Sequence, residues 1–432
     1  FDGQLQLDSA PVIAQYAYLL PKVLVKSIGA GGGSIAWIDT SGVLRVGPRS
    51  AGASPGPACY GLGGTEATVT DADLVLGYLN PDYFLEGRIK LDLGAARAAI
   101  RRLADRLGMD EGEVASGIFD IANAQMADLI RKSTVEKGFD PRDFVVLAYG
   151  GAGPVHAAFY AADTGAAATF VPAESSVFSA FGMLTTDLLF QAGASVLLRT
   201  PLTDEKVAHV TEVFQRLEAE VREQFRQNDV DPSAITLART VDMRFGMQVH
   251  ELGVSVPLKR LTAADGEGLL RAFEEKYEFT YGRDTAYRDA GIEFIACRVV
   301  GTLPASRPAL QAMESDTAES RRRHSQRPAY FRTVGRFVPT DCFRGEALRP
   351  GHHLVGPAIV ERMGDTIVIP PGVNAVVDRY GNVILKEVAN RMPSRASGGG
   401  VDLVTFEVLR HRLWEINDEM GHIAARISGS PA

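Results

Sequence analysis

"DFVVLAYGGAGPVHAAFYAADTGAAATFVP", residues 143–172, decides the class of fold. "FVVL" is a short apolar run of strand length, and three glycines, Gly150, Gly151 and Gly153, follow it. An alanine-rich run then ends at Gly165, a natural stop for a helix. A second apolar run, "AATFV", closes the stretch. Strand, turn, helix, glycine stop and strand make a βαβ unit, and such units build parallel sheets. The expected fold class is therefore α/β.

The turn in this unit also carries chemistry. Glycine backbone approaches a ligand closely because no side chain intervenes. A helix start offers free N–H groups and the positive end of the helix dipole. Pro154 fits the first helical turn. The pattern is neither GxGxxG nor GxxxxGK[ST], so neither nucleotide fingerprint applies. Spacing alone leaves a ligand loop and a plain strand–helix turn both open. His156, just inside the helix, is a candidate base, metal ligand or ligand contact, with a packed, hydrogen-bonded histidine as the alternative.

A second glycine stretch lies upstream: "SIGAGGGSIAW", residues 27–37. Gly29, Gly31, Gly32 and Gly33 permit close backbone packing, and Ser34 adds a hydroxyl. No lysine follows at P-loop spacing, so a phosphate loop and a structural corner both remain. "KVLVKSI" and "SIAWID" read as strands on either side, and "LRVG" as a return strand. The next stretch is rich in Gly and Pro. A short helix is expected from Asp71, with Thr70 or Asp71 as its cap. Asp71 and Asp73 lie two apart, so they are either candidate Mg²⁺ ligands or helix-capping groups. Cys59 has no base near it in sequence and reads as a buried structural thiol rather than a nucleophile.

Further elements follow from periodicity. Residues 94–108 and 111–137 read as helices, the second ending at Gly138, and "ESSVFSAFGMLTTD" reads as a shorter one. Residues 203–228 are strongly amphipathic. Strands are expected around "ARTVDMRF", "VHELGVSVP" and "IEFIACRVVGTL". The basic run at 305–328 reads as a solvated loop. Residues 329–390 read as short strands and suggest a small β domain. "NRMPSRASGGG", 391–400, has linker composition, and residues 401–427 read as a new amphipathic helix.

Composition sets the bounds. The 432 residues are 46% apolar, enough for a sizeable core in two or three domains. A net charge of −8 argues against general binding to nucleic acid or anionic membrane. The three cysteines are far apart, which suggests neither a disulfide framework nor a cysteine-rich zinc site. Reducing, cytoplasmic surroundings are the expectation. No apolar run approaches the ~20 residues of a membrane span. The chain starts at Phe1 rather than Met and stops after a helical pattern, so a piece of a longer polypeptide is expected.

"SIGAGGGSIAWID", "LRVGPRSAGASPGPACYGLGGTEATVTDADLVLGYL", "AYGGAGPVHA" and "PAESSVFSAFGML" together resemble the hydantoinase A / 5-oxoprolinase family. "DMRFGMQVHEL" is similar to that family's C-terminal pattern, with Phe245 where Tyr is common and Met247 after Gly246. Residues 401–427 resemble the start of its partner B component. The resemblance implies a division into 1–190 (ATPase-like, partial), 200–390 (C-terminal α+β), a linker at 391–400, and the start of a truncated B-type module at 401–432. It implies the C-terminal part of an actin/hexokinase-like, ribonuclease-H-like ATPase fold, ATP and Mg²⁺ as cofactors, and an oligomer. It makes Gly150, Gly151 and Gly153 the adenosine-side loop and residues 29–34 part of the cleft wall. The implied reaction is ATP-driven phosphorylation of a carbonyl oxygen. The leading expectation is hydrolysis of a cyclic amide of hydantoin or 5-oxoproline type. Ketone carboxylation of acetone or acetophenone type is the alternative, and a non-catalytic assembly subunit is the reading from another class. Gly63-Gly64-Thr65 does not follow a β-run and reads as a loop, not a phosphate motif. The family's two Asp-x-Gly-Gly-Thr turns and its catalytic residues are expected outside this chain, which is therefore expected to be inactive alone.

Overall fold

In the computed structural model, the described residues are 22–387, with breaks at 136–138, 249–250, 283–284, 287, 308 and 315–322, together with 7–8, 12–13 and 16–17. The expected linker, the helix at 401–427 and Gly138 lie outside them. Among the described residues, the chain divides into two compact units. One joins residues up to 178 with those from 310 onward, and the other holds 179–309.

In the first unit, β1 (Ser34–Ile38) and β2 (Leu44–Ser50) form an antiparallel pair. Asp39 Oδ1 shapes their turn by accepting from the Ser41 and Val43 N–H groups. The expected strand "KVLVKSI" is paired only at Lys22–Val23. Val23 and Val25 are exposed there, while Leu24 and Ile28 are only half-buried. Helix α1 spans Val69–Val75. Its cap is Thr68, not Thr70 or Asp71, and Asp71 sits at the third helical position to complete a capping box. Helices α2 (Leu93–Leu107) and α3 (Glu111–Val135) pack on α1. Leu76, Ile100, Ile118, Phe119 and Ile121 are fully buried in their shared core. Next come β3 (Val145–Leu147), α4 (Gly153–Thr164) and β4 (Ala168–Val171). The two strands are parallel, and Gly165 caps α4 at φ +74°, so the expected βαβ unit is present.

The second unit is a four-stranded antiparallel sheet with helices packed on it. Its elements are β5 (Leu188–Arg199), α5 (Asp204–Gln227), β6 (Thr236–Phe245), β7 (Leu252–Val256), α6 (Ala263–Tyr281) and β8 (Ile292–Leu303). The strand order is β7-β6-β8-β5. The stripe Val207, Val210, Val213, Phe214, Leu217, Val221 and Phe225 is buried along its whole length, as the periodicity of α5 requires. β5 and α6 were not expected from the sequence pattern, although Thr262 and Asp265 form a capping box at the start of α6.

The chain then returns to the first unit with β9 (Ser325–Phe331), β10 (Arg336–Arg344), β11 (His353–Val355), β12 (Ala358–Glu361), β13 (Thr366–Ile369), β14 (Val373–Val377) and β15 (Val383–Glu387). The expected small β domain at 329–390 is not separate. One sheet has the order β9-β10-β12-β13, and the other runs β11-β14-β15-β4-β3. In the second, Val383 pairs with Val171 and Leu385 with Thr169. A two-stranded parallel pair buries too little surface alone. The antiparallel return of β15 completes it, so the sheet is mixed rather than purely parallel.

Candidate active-site cleft

Within the first unit, six separate stretches surround a cleft of about 360 Å³, within the range of small-molecule sites. They are Gly32–Gly33, Gly52–Pro57, Thr70 and Asp73 of α1, residues 79–85, Gly151–Val155 at the start of α4, and 361–366 between β12 and β13.

The first glycine loop is closed on itself. The Ser34 hydroxyl donates to Gly29 O and accepts from Gly31 N–H, both at 2.9 Å. A Cβ at Gly29 would stand 2.8 Å from Pro48 Cα. Gly32 O accepts from both the N–H and the hydroxyl of Thr70 at 2.9 Å, which ties the loop to α1. Only Gly32 and Gly33 of this loop reach the cleft, while Gly29, Gly31 and Ser34 build the corner behind it.

The second loop is more open. Gly150 has φ +84°, a left-handed conformation, and neither Gly150 nor Gly153 has a neighbour within 4 Å of where a Cβ would stand. Gly151 reaches the cleft with Ala152 and Val155, and the helix start behind them suits an anionic or polar ligand. Gly150 N–H donates to Ser175 O at 2.8 Å. Arg362 fixes that support. Its guanidinium binds Asp365 through two bonds of 2.7 and 2.8 Å, the Ser175 hydroxyl at 2.8 Å and Pro172 O at 2.9 Å. Sequence reasoning missed Arg362 and Asp365. Their signal was a charged triplet inside an apolar run, "AIVERMGDTIVI".

The two aspartates have different fates. Asp71 Oδ2 accepts from the N–H groups of Ala58 and Thr68 and from the Thr68 hydroxyl, and Oδ1 accepts from Cys59 N–H at 2.8 Å. Both oxygens therefore serve the cap and the turn at 57–60, so the paired-carboxylate reading for Mg²⁺ does not carry over to Asp71. Asp73 lines the cleft at 2% exposure. Its Oδ2 lies 3.5 Å from His156 Nε2, and its Oδ1 has no hydrogen-bond partner among the described residues. His156 is buried behind Asp73, stacked on Phe119 at 4.5 Å, with Nδ1 3.2 Å from Asn123 Oδ1. Among the described residues, no three His, Cys, Asp or Glu side chains gather as a metal site. Among the described residues, no such cluster forms an Mg²⁺ site on its own. Gly32, Gly33 and Gly151 bring backbone rather than side chains to the cleft wall.

Across the cleft, Glu361 accepts from Asn80 Nδ2 at 2.9 Å and pairs with Arg327. Arg344 Nη1 sits 2.7 Å from its Oε2 without hydrogen-bond alignment. The thiols are buried and inert. Burial pushes Cys59 up, with Asp71 beside it adding to the effect, and burial takes Cys297 to about 12.

Comparison with known proteins gives a consistent result. Residues 1–192 match the hydantoinase/oxoprolinase family profile, and 202–388 match the profile of its C-terminal domain. The acetophenone carboxylase gamma subunit of Aromatoleum aromaticum is 34% identical over 91% of this chain and 56% of its own length. A nucleotide-free acetone carboxylase structure superposes with a TM-score of 0.78 at 30% identity, covering 89% of this chain and 56% of that one. The ATP-dependent caprolactamase of Pseudomonas jessenii gives 0.74 at 29%, covering 88% and 55%. The chain spans about half the length of these relatives. No described helix is long and apolar enough to cross a membrane. The chain belongs to the hydantoinase/oxoprolinase family.

Proposed function

We propose that this chain supplies one wall of the nucleotide cleft in an ATP-dependent enzyme acting on a cyclic amide, within an actin/hexokinase-like ATPase fold. The supporting observation is the convergence of Gly32–Gly33 and Gly151–Ala152, 119 positions apart in sequence, on one cleft that Asp73 also lines. In this reading ATP phosphorylates the substrate carbonyl oxygen, which turns a poor leaving group into a good one. The α4 start and the Gly151 backbone hold the nucleotide. Arg362 keeps that loop in place through Ser175. A B-type module, fused or separate, is the partner, and other copies complete an oligomer. Metal binding would rest on groups other than Asp71.

The caprolactamase likeness favours a cyclic amide substrate, while the acetophenone and acetone carboxylase likenesses favour ketone carboxylation as the second reading. Substrate-dependent ADP release by the full protein with its partner decides between them. Release with hydantoin, 5-oxoproline or caprolactam supports the first. Release only with acetone or acetophenone plus bicarbonate supports the second. No release with any of these supports a non-catalytic assembly role.

A further inference from the structure

The mechanism above leaves one buried polar atom without a role, Asp73 Oδ1. It belongs to Asp73, a cleft-lining residue only 2% exposed, and has no hydrogen-bond partner among the described residues. A desolvated carboxylate oxygen without a donor is costly to keep, so its partner is to be sought in the ligand.

The residues behind it fix what that partner can be. Asn123 Nδ2 donates to Phe119 O at 2.8 Å, which turns Asn123 Oδ1 toward His156 Nδ1. An amide oxygen only accepts, so Nδ1 carries the hydrogen. Asp73 Oδ2 faces His156 Nε2 at 3.5 Å, which leaves the lone pairs of Oδ1 for another partner. A phosphate oxygen, also an acceptor, is not its partner.

We propose that Asp73 Oδ1, held by His156 and Asn123, is the acceptor for an uncharged N–H or O–H group of the cleft ligand. Within the function proposed above, on which this assignment of ligand rests, two donors qualify: an amide N–H of the substrate and a ribose hydroxyl of the nucleoside. A simple ketone offers none.

Two probe pairs test this on the full protein: hydantoin against its N,N′-dimethyl analogue, and adenosine against its ribose-dideoxy analogue. Each is titrated into wild type, Asp73→Leu and Asp73→Asn. In wild type, the donor-bearing member of one pair is expected to bind about tenfold or more tightly than its analogue. Asp73→Leu is expected to erase that preference. Asp73→Asn is expected to keep most of it, because the amide can turn its NH₂ to Nε2 and its oxygen to the cleft. A preference in the hydantoin pair assigns the donor to the substrate, and one in the adenosine pair assigns it to the ribose. Equal binding within both pairs by wild type overturns the proposal, as does a preference that survives in Asp73→Leu. If Asp73→Leu does not fold, the wild-type titrations decide alone. ADP release by the same preparation reads the ATP-dependent function separately. Release without donor preference refutes this inference only, and preference without release refutes the proposed function only.

Discussion

The two glycine-rich walls of the cleft have nearly the same composition and opposite construction. The wall at 29–34 is closed from within: Ser34 bridges Gly29 and Gly31, Pro48 fills the space behind, and Thr70 fastens Gly32 to α1. The wall at 150–153 has free space at Gly150 and Gly153 and is held from outside, by one guanidinium acting through Ser175. At Gly29, Gly32 and Gly33 of the first wall, the missing side chain allows dense packing. In the second it leaves room. Sensitivity to substitution should therefore follow packing in one wall and a single clamp in the other.

The largest expected effect is Asp71→Ala, which leaves the N–H groups of Ala58, Cys59 and Thr68 without their shared acceptor. A loss of about 3–5 kcal/mol is expected in urea unfolding of the first unit. A loss below about 1 kcal/mol would show that the closed wall does not depend on this carboxylate. Arg362→Ala strands the buried Asp365 and should cost about 3 kcal/mol. Amide exchange should rise first at Gly150–Ala152, and a rise confined to 361–366 would break the proposed link to the loop. Gly32→Val follows at about 2 kcal/mol, since a Cβ there would lie 2.6 Å from Thr70 Oγ1. It should also abolish ligand binding in the cleft, and normal turnover would make this loop a mere corner. The smallest effects separate two glycines of the open wall. Gly150→Ala, at φ +84°, should cost about 1 kcal/mol, whereas Gly153→Ala should stay within about 0.5 kcal/mol of wild type on thermal melting.

The same contrast explains what the sequence made legible. The βαβ unit and its loop were readable because strand, glycine turn, helix and glycine stop are local signals. The separation of Asp71 from Asp73 was not, because it depends on the Ala58–Cys59 turn folding back onto one carboxylate. Glu361, Arg362 and Asp365 join the cleft from some 200 residues away, and no local pattern announces that return. Strands at 329–390 were expected, but their pairing with β4 rests on long-range register.

The proposed role of the open wall, holding a nucleotide, stands or falls with Gly151→Val. Gly151 reaches the cleft, has no positive φ, and a Cβ there meets only Gly364 O at 3.5 Å, so the larger side chain fills ligand space at little cost to the fold. Calorimetric titration of ATP into the full protein should show affinity reduced about tenfold or more in Gly151→Val, with the melting temperature unchanged. Wild-type affinity in that variant would place the nucleotide elsewhere and contradict the account.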